Sequence, residues 1–278
     1  MSSKAKPRKS DRFVQWFGSG TDVARNVGDL LAGCRMVYIP FCGGCSEVPW
    51  IDAKQILCND LHRHVVNLCR VVKDDESRKW LAQQADALPY HPDELARHQE
   101  AASRPIGSFP SCPDQYAALA YFVCVWMGRG GKAGTASEFN GSLPIRWNAS
   151  GGGSNRRYRT AIEALDSWGE TFRRCEFTCM DAFDFLAKCQ DEPMHGLYVD
   201  CNWPGAGEEY RHKIDEAGQR RLASVLSLFQ QARVVVRFGD HPLIRSLYLP
   251  EFGWAWRTMA SRNQANDVNI EFLITRNL

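Results

Sequence analysis

Apolar positions recur along this chain in two rhythms. Short unbroken runs, "CRMVYIPF" (34–41), "KQILCNDL" (54–61), "CEFTCM" (175–180), "GLYVD" (196–200) and "ARVVVRFG" (232–239), have the length of buried strands. A strand covered on both faces shows no polar alternation, so these runs read as members of a parallel sheet. Between them the spacing turns helical: Asp22–Ala32, residues 62–72, Glu76–Leu88, Tyr158–Trp168, "AFDFLAK" (182–188), "DEAGQRRLASVLSLFQQ" (215–231) and "PLIRSLY" (242–248). At the end, "FGWAWRTMAS" and "VNIEFLITRN" flank the polar "RNQAND" and predict a hairpin. About seven strands alternating with helices predict an α/β fold with a mostly parallel sheet and a C-terminal antiparallel hairpin.

The middle of the chain breaks this alternation. From Tyr90 to about Arg159 come a polar segment, an aromatic-rich helix "DQYAALAYFVCVWMG" (114–128) and a long Gly/Ser/Asn stretch ending in "SGGGSNRRYR". A long irregular stretch in a compact protein is functional or disordered. Between Arg129 and Arg159 there are six Lys/Arg and one acid, Glu138. The organisation expected is a basic disordered tail (1–12), a first sheet part (13–89), an inserted region (90–170) and a second sheet part (171–278).

Composition adds little to this division. With 44% hydrophobic and 24% charged residues among 278, the chain reads as a globular protein. The formal charge of +2 names no partner by itself, so the local basic cluster matters more. No run approaches the roughly 18 apolar residues of a membrane helix, and the start lacks an apolar signal core; no membrane partner and a cytoplasmic location are expected. Eleven cysteines are scattered, and only Cys42–Cys45 has C-x-x-C spacing without a second pair, so buried free thiols are expected rather than a metal site.

Candidate chemistry collects where strands end. The turn "FCGGC" follows the first strand, and Gly43 and Gly44 there either let a backbone approach a ligand or simply make a turn. Asp60 ends the second strand, as a ribose acceptor or as a helix N-cap. Asp181 follows "CEFTCM" with the same two readings, and Asp200 ends "GLYVD". In a parallel sheet all of these line one edge, and the first two, about twenty residues apart, favour a nucleoside-containing cofactor.

The order of these pieces resembles the DNA adenine-N6 methyltransferases that include the Dam enzymes. "QWFGSGT" stands where that family has Trp-x-Gly-Gly-Lys, "IPFCGGC" matches its Pro-Phe-x-Gly-x-Gly, and "CND" matches its Asn-Asp. "SEFN" echoes a Glu-Phe-Asn of its target-recognition region, "DCNW" takes the place of Asp-Pro-Pro-Tyr, and "SRNQANDVNIEFLITRN" resembles its closing hairpin. The similarity spans about residues 13–278.

This resemblance implies a Rossmann-like methyltransferase sheet with an inserted recognition region, and an S-adenosylmethionine-dependent enzyme methylating adenine N6 in double-stranded DNA, as in restriction–modification. It implies no metal, and a monomer is expected. The methyl donor would lie over Pro40, Phe41 and Gly43, with Asp60 and Leu61 at its ribose, Asp181 near its adenine, Asp200 beside it, and Trp16 and Gly18 over its amino-acid end. Asp200, Cys201, Asn202 and Trp203 would form the catalytic loop. Asp200 and the Cys201 carbonyl would accept the amino hydrogens while the base stacks on Trp203. Arg129, Lys132, Asn140, Arg146, Arg156, Arg157 and Arg159, with Trp147 and Tyr158, would meet phosphates and base edges. The chain departs from the pattern at Cys201 and Asn202, which replace prolines and are expected to loosen the loop, and at Thr21, Ile39 and Cys45. An amide at Asn202 can compete for Asp200 or the base. Two other readings stay open: a non-catalytic DNA-binding homologue, and methylation of RNA adenine or cytosine N4.

Overall fold

The computed structural model describes residues 12–19, 23–107, 112–144, 153–205, 207, 209–262 and 268–278. Strands β1 (Met36–Ile39), β2 (Gln55–Asn59), β3 (Cys175–Thr178), β4 (His195–Val199), β5 (Arg233–Gly239), β6 (Ala255–Arg262) and β7 (Val268–Arg276) coincide with the apolar runs of the sequence. They form a seven-stranded sheet in the order β3-β2-β1-β4-β5-β7-β6. Strand β1 is parallel to β2 and to β4, and β4 is parallel to β5. Strand β7 runs antiparallel to both β5 and β6. This is a Rossmann-like doubly wound order, with its switch point between β1 and β4; the mostly parallel sheet with a C-terminal antiparallel hairpin is the one expected.

The chain divides into two compact units. One comprises residues 20–42, 47–61 and 180–278 and carries every strand except β3. Its helices are α1 (Ala24–Leu30), α8 (Ala182–Leu186), α9 (Glu216–Ser227) and α10 (Pro242–Leu247). Leu222 and Leu226 of α9 pack with Val234, Val236 and Phe238 of β5 in a core closed by Tyr248 and Trp254. Asp215 caps α9 by accepting a bond from Gly218 N at 2.8 Å.

The other unit comprises residues 1–19, 43–46 and 62–179. It contains α2 (Arg63–Lys73), α3 (Asp75–Ala87), α4 (Pro92–Ser103), α5 (Gln115–Met127), α6 (Ser154–Glu163), α7 (Leu165–Phe172) and β3. Helix α5 is buried from Ala118 through Met127, which is why its sequence is apolar all round. Asp114 caps it, and Asn67 of α2 bonds the Asp114 backbone at both its carbonyl and its N–H. Two expectations need correction. The polar segment after Tyr90 contains α4: Pro92 sits in its first turn, His91 caps it, and only Leu95 and Ala102 are buried, so its apolar signal is faint. The helix expected over 158–168 is two helices that meet at Ala164.

All eleven cysteines are free, and eight of them are buried, the role expected of them. No helix among the described residues is long and apolar enough to cross a membrane. Residues 1–11, Thr21, Arg146 and Trp147 lie outside the described residues.

Asp191 secures the turn into β5. Its carboxylate accepts bonds from the N–H groups of Gln230, Gln231 and Ala232, each at 2.8 Å. Partial burial pushes this carboxyl up, but the three N–H groups outweigh it and hold it below the ordinary aspartate range. Asp191→Asn is expected to lower stability at neutral pH by about 1–2 kcal/mol. Because the folded-state value is depressed, that contribution is present above the ordinary aspartate range and is lost as pH falls through the depressed value. Denaturant titrations of the two proteins should therefore differ at pH 7 and converge in strong acid.

Candidate active site

In a doubly wound sheet, ligands bind beyond the carboxyl ends of the strands next to the switch point. Here those ends deliver Pro40 and Phe41 from β1, Asp60 and Leu61 from β2, and Asp200 from β4. The edge is held by Asn59, the Asn of "CND", to which the sequence assigned no role. Asn59 is fully buried, and its amide nitrogen donates to the Pro40 carbonyl at 3.1 Å and the Met180 carbonyl at 3.0 Å. Its side-chain oxygen accepts from Met180 N at 3.1 Å, and its own carbonyl accepts from Cys42 N at 2.8 Å. One satisfied amide thus joins the ends of β1 and β2 to the segment that precedes α8. The signal available in the sequence was an Asn at the end of an apolar strand, where a buried amide must find partners.

The two strand-end acids resolve differently. Asp181 accepts a bond from Phe183 N at 2.8 Å with Oδ1, so it is the N-cap of α8. Asp60 is not a cap: His62 takes that position on α2, with Nδ1 accepting from Val65 N at 3.3 Å. Asp60 is partly exposed, and Leu61 beside it is 46% exposed.

Asp200 is the most elaborated of the predicted residues. Its Oδ2 lies 2.7 Å from Arg237 Nη1 and accepts a bond from the Tyr198 hydroxyl at 3.3 Å. Arg237 in turn donates through Nε to Glu271 Oε2 at 2.8 Å. The side chain of Asp200 is 19% exposed, while Arg237 and Glu271 are 4% and 5% exposed. Parallel register explains the contact, because Val199 of β4 pairs with Val236 of β5 and the next residues of both strands are Asp200 and Arg237. Burial pushes the Asp200 carboxyl above the ordinary range, against the pull of Arg237. The guanidinium is raised well above its own ordinary value by Asp200, Tyr198 and Glu271, against the opposing effect of burial. The Tyr198 hydroxyl also lies 3.4 Å from Glu47 Oε1, and burial followed by these two carboxylates raises it strongly. Neither Arg237 nor Glu271 belonged to the predicted site. Tyr210 also lies within the field of Asp200, Arg237 and Asp60, and burial first and then Asp200 raise its hydroxyl.

Cys201 and Asn202, which follow Asp200 in the loop, have structural partners. Asn202 pairs with Ile214 as a strand neighbour would: Nδ2 donates to the Ile214 carbonyl at 3.0 Å and Oδ1 accepts from Ile214 N at 2.8 Å. Gln219 Nε2 donates to the Asn202 carbonyl at 2.8 Å and lies 3.6 Å from the buried Cys201 Sγ. Among the described residues Asn202 makes no bond to Asp200, and these bonds tie the loop to Ile214 and Gln219. Burial pushes the Cys201 thiol up to about 12. Trp203 is partly exposed, with the Arg237 guanidinium carbon 5.2 Å from its ring centroid. A Cβ at Gly239 would stand 2.8 Å from Trp203 Cε3, so the glycine at the end of β5 makes room for the indole.

Within the helical unit, Trp16 is a packing element. A Cβ on Gly43 would come 2.8 Å from its Nε1, and one on Gly134 would come 2.5 Å from its Cζ2. Gly43 is thus small for the indole. The Trp16 ring also meets His62 edge-on at 5.5 Å, and His62 Nε2 lies 2.8 Å from Glu138 Oε1. Because His62 Nδ1 accepts the capping bond, Nε2 carries the proton and donates to the carboxylate. Gly18 is exposed with φ +68°.

The basic residues divide into inward and outward groups. Arg157 Nη2 bonds the Trp126 and Gly128 carbonyls at 3.2 and 2.8 Å, closing the C-terminus of α5. Tyr158 is buried and its hydroxyl bonds the Ala85 carbonyl at 3.0 Å. Arg129, Asn140, Arg156 and Arg159 are exposed, and Lys132 is partly exposed. Among the described residues there is no group of three His, Cys, Asp or Glu that could hold a metal. Cys45 Sγ lies 3.9 Å from Cys69 Sγ.

No family model matches the chain, and no curated protein does. Among solved structures it is similar to magnesium protoporphyrin IX methyltransferase from Synechocystis PCC 6803 with bound SAM, at 10% identity and a TM-score of 0.36. The similarity covers 92% of this chain and 79% of the other.

Two outcomes follow from the packing of the loop. Gly239→Ala is expected to cost about 1–3 kcal/mol by overpacking against the indole. In a Trp203→Ala background the same change should cost much less, which a double-mutant cycle by denaturation measures. Iodoacetamide at neutral pH should label the exposed Cys112 first and spare Cys124, Cys189 and Cys201, whose thiols burial pushes up to about 12.

Proposed function

We propose that this chain is an S-adenosylmethionine-dependent methyltransferase acting on adenine N6 of double-stranded DNA. The observation that carries the reading is Asp200 at the carboxyl end of β4. Both bonds to its carboxylate fall on Oδ2, so among the described residues Oδ1 retains its acceptor capacity. An exocyclic amine is a poor nucleophile because its lone pair is delocalised into the ring. A carboxylate oxygen accepting one amine hydrogen returns electron density to the nitrogen as it attacks. The Cys201 carbonyl is a second acceptor of the right type, and the partly exposed Trp203 ring offers a stacking surface worth roughly 1–3 kcal/mol to a base.

The residues at the β1 and β2 ends fit a nucleoside sulfonium. Asp60, at the carboxyl end of β2, suits ribose hydroxyls, and the exposed Leu61 and partly buried Phe41 offer apolar surface to a ring. Asp181 caps α8 through Oδ1, and among the described residues its Oδ2 is left for a polar edge. When bound, S-adenosylmethionine supplies an electrophilic methyl group on sulfur. The outward Arg129, Lys132, Arg156 and Arg159 suit phosphate contacts.

Transfer of labelled methyl from S-adenosylmethionine to adenine-containing duplex DNA tests the reading, and long-read methylation sequencing locates the product. The wild type should transfer, and Asp200→Ala should lose on the order of 10²-fold or more. Failure to bind S-adenosylmethionine and to methylate any adenine-containing DNA would defeat it. DNA binding without cofactor binding would select a binding protein, and transfer only to RNA adenine or cytosine N4 would change the acceptor.

A further inference from the structure

We infer that Arg237 and Glu271 form a positioning pair that presents Asp200 Oδ1 as an acceptor for a nucleophile carrying its own hydrogen. This rests on the reading of Asp200 proposed above. The geometry is a chain of two contacts from three neighbouring strands: Asp200 Oδ2 to Arg237 Nη1 at 2.7 Å, and Arg237 Nε to Glu271 Oε2 at 2.8 Å. A carboxylate at a strand end can rotate and offer either oxygen. Pinning Oδ2 from β5 removes that freedom, so the remaining oxygen faces its partner without reorganisation at the moment of reaction.

Glu271 has a distinct part in this. A guanidinium serving Asp200 alone would neutralise it and weaken it as an acceptor. Arg237 is instead shared between two carboxylates, so its charge is not spent on Asp200 alone. The other groups facing Asp200 are Tyr198 on its own strand, with Glu47 behind that hydroxyl, and Cys201 and Tyr210 in the following loop. Among the described residues none of these carries a second positive charge. The pair therefore favours an exocyclic amine, which donates a hydrogen bond, over a bare ring nitrogen, which has no hydrogen to give.

The test compares wild type with Arg237→Met, Arg237→Lys and Glu271→Gln. Two readouts are taken: the Asp200 carboxyl titration by carbon-13 NMR, and the pH profile of kcat for methyl transfer to duplex DNA. Asp200 must be ionised to accept, so activity falls below its titration midpoint. Arg237→Met should move the midpoint and the acid limb of kcat upward and cut kcat on the order of 10²-fold, with little change in KM for S-adenosylmethionine. Arg237→Lys should restore part of the loss. Glu271→Gln should move both midpoint and limb downward. Opposite shifts from the two partners are not produced by general loosening of the sheet. Unchanged midpoints, or shifts of the same sign, would overturn the positioning role. If Arg237→Met does not fold, a downward shift in Glu271→Gln supports the role and an unchanged midpoint overturns it. If the carboxyl midpoints move in opposite directions while the wild type transfers no methyl group, the clamp stands and the methyltransferase reading falls.

Discussion

A guanidinium buried in a sheet must be met by charge, and Arg237 is met from both sides. Asp200 of the loop after β4 and Glu271 of β7 each give it an oxygen within 2.8 Å. Removing one partner from such a buried pair is costly, roughly 3–5 kcal/mol, because the remaining charge loses its compensation. The candidate site is therefore built into the same contacts that hold β4, β5 and β7 together. That coupling explains why an acid can stand at the end of a parallel strand with its side chain only 19% exposed.

The loop beyond Asp200 shows how different residues can serve one structural need. Prolines order a chain by restricting φ, whereas Asn202 orders it by pairing both ends of its amide with the Ile214 backbone. Gln219 of α9 adds a bond to the Asn202 carbonyl, so the loop is tied to the helix that covers its strand. At the neighbouring strand ends, Asn59 performs the corresponding task with three bonds from one side chain. Side-chain amides suit this work because each carries both donors and acceptors.

In the helical unit, small residues and an aromatic ring are matched in the same way. Trp16 occupies the space left by Gly43 and Gly134, and His62 meets its ring while capping α2 and donating to Glu138. Arg157 and Tyr158, which a sequence reading groups with outward basic and aromatic residues, are spent on the α5 carbonyls and on Ala85. Neighbours in a sequence share a helix, but its curvature sends one of them outward and the next inward.

The sequence by itself determined the strands, most helices, the mostly parallel sheet with its closing hairpin, and the placement of Asp60, Asp181 and Asp200 at strand ends. Those features are local: apolar runs and periodicity depend on residues a few positions apart. Helix α4 escaped because so little of it is buried. Only the tertiary structure decided which strand-end acid is a cap and which is not. Only it could show that Gly43 and Gly239 make room for tryptophans and that Asn202 bonds a backbone. Arg237 and Glu271 were beyond reach for the same reason. They lie 37 and 71 residues from Asp200, and parallel crossovers and antiparallel register, which no local pattern records, bring them together.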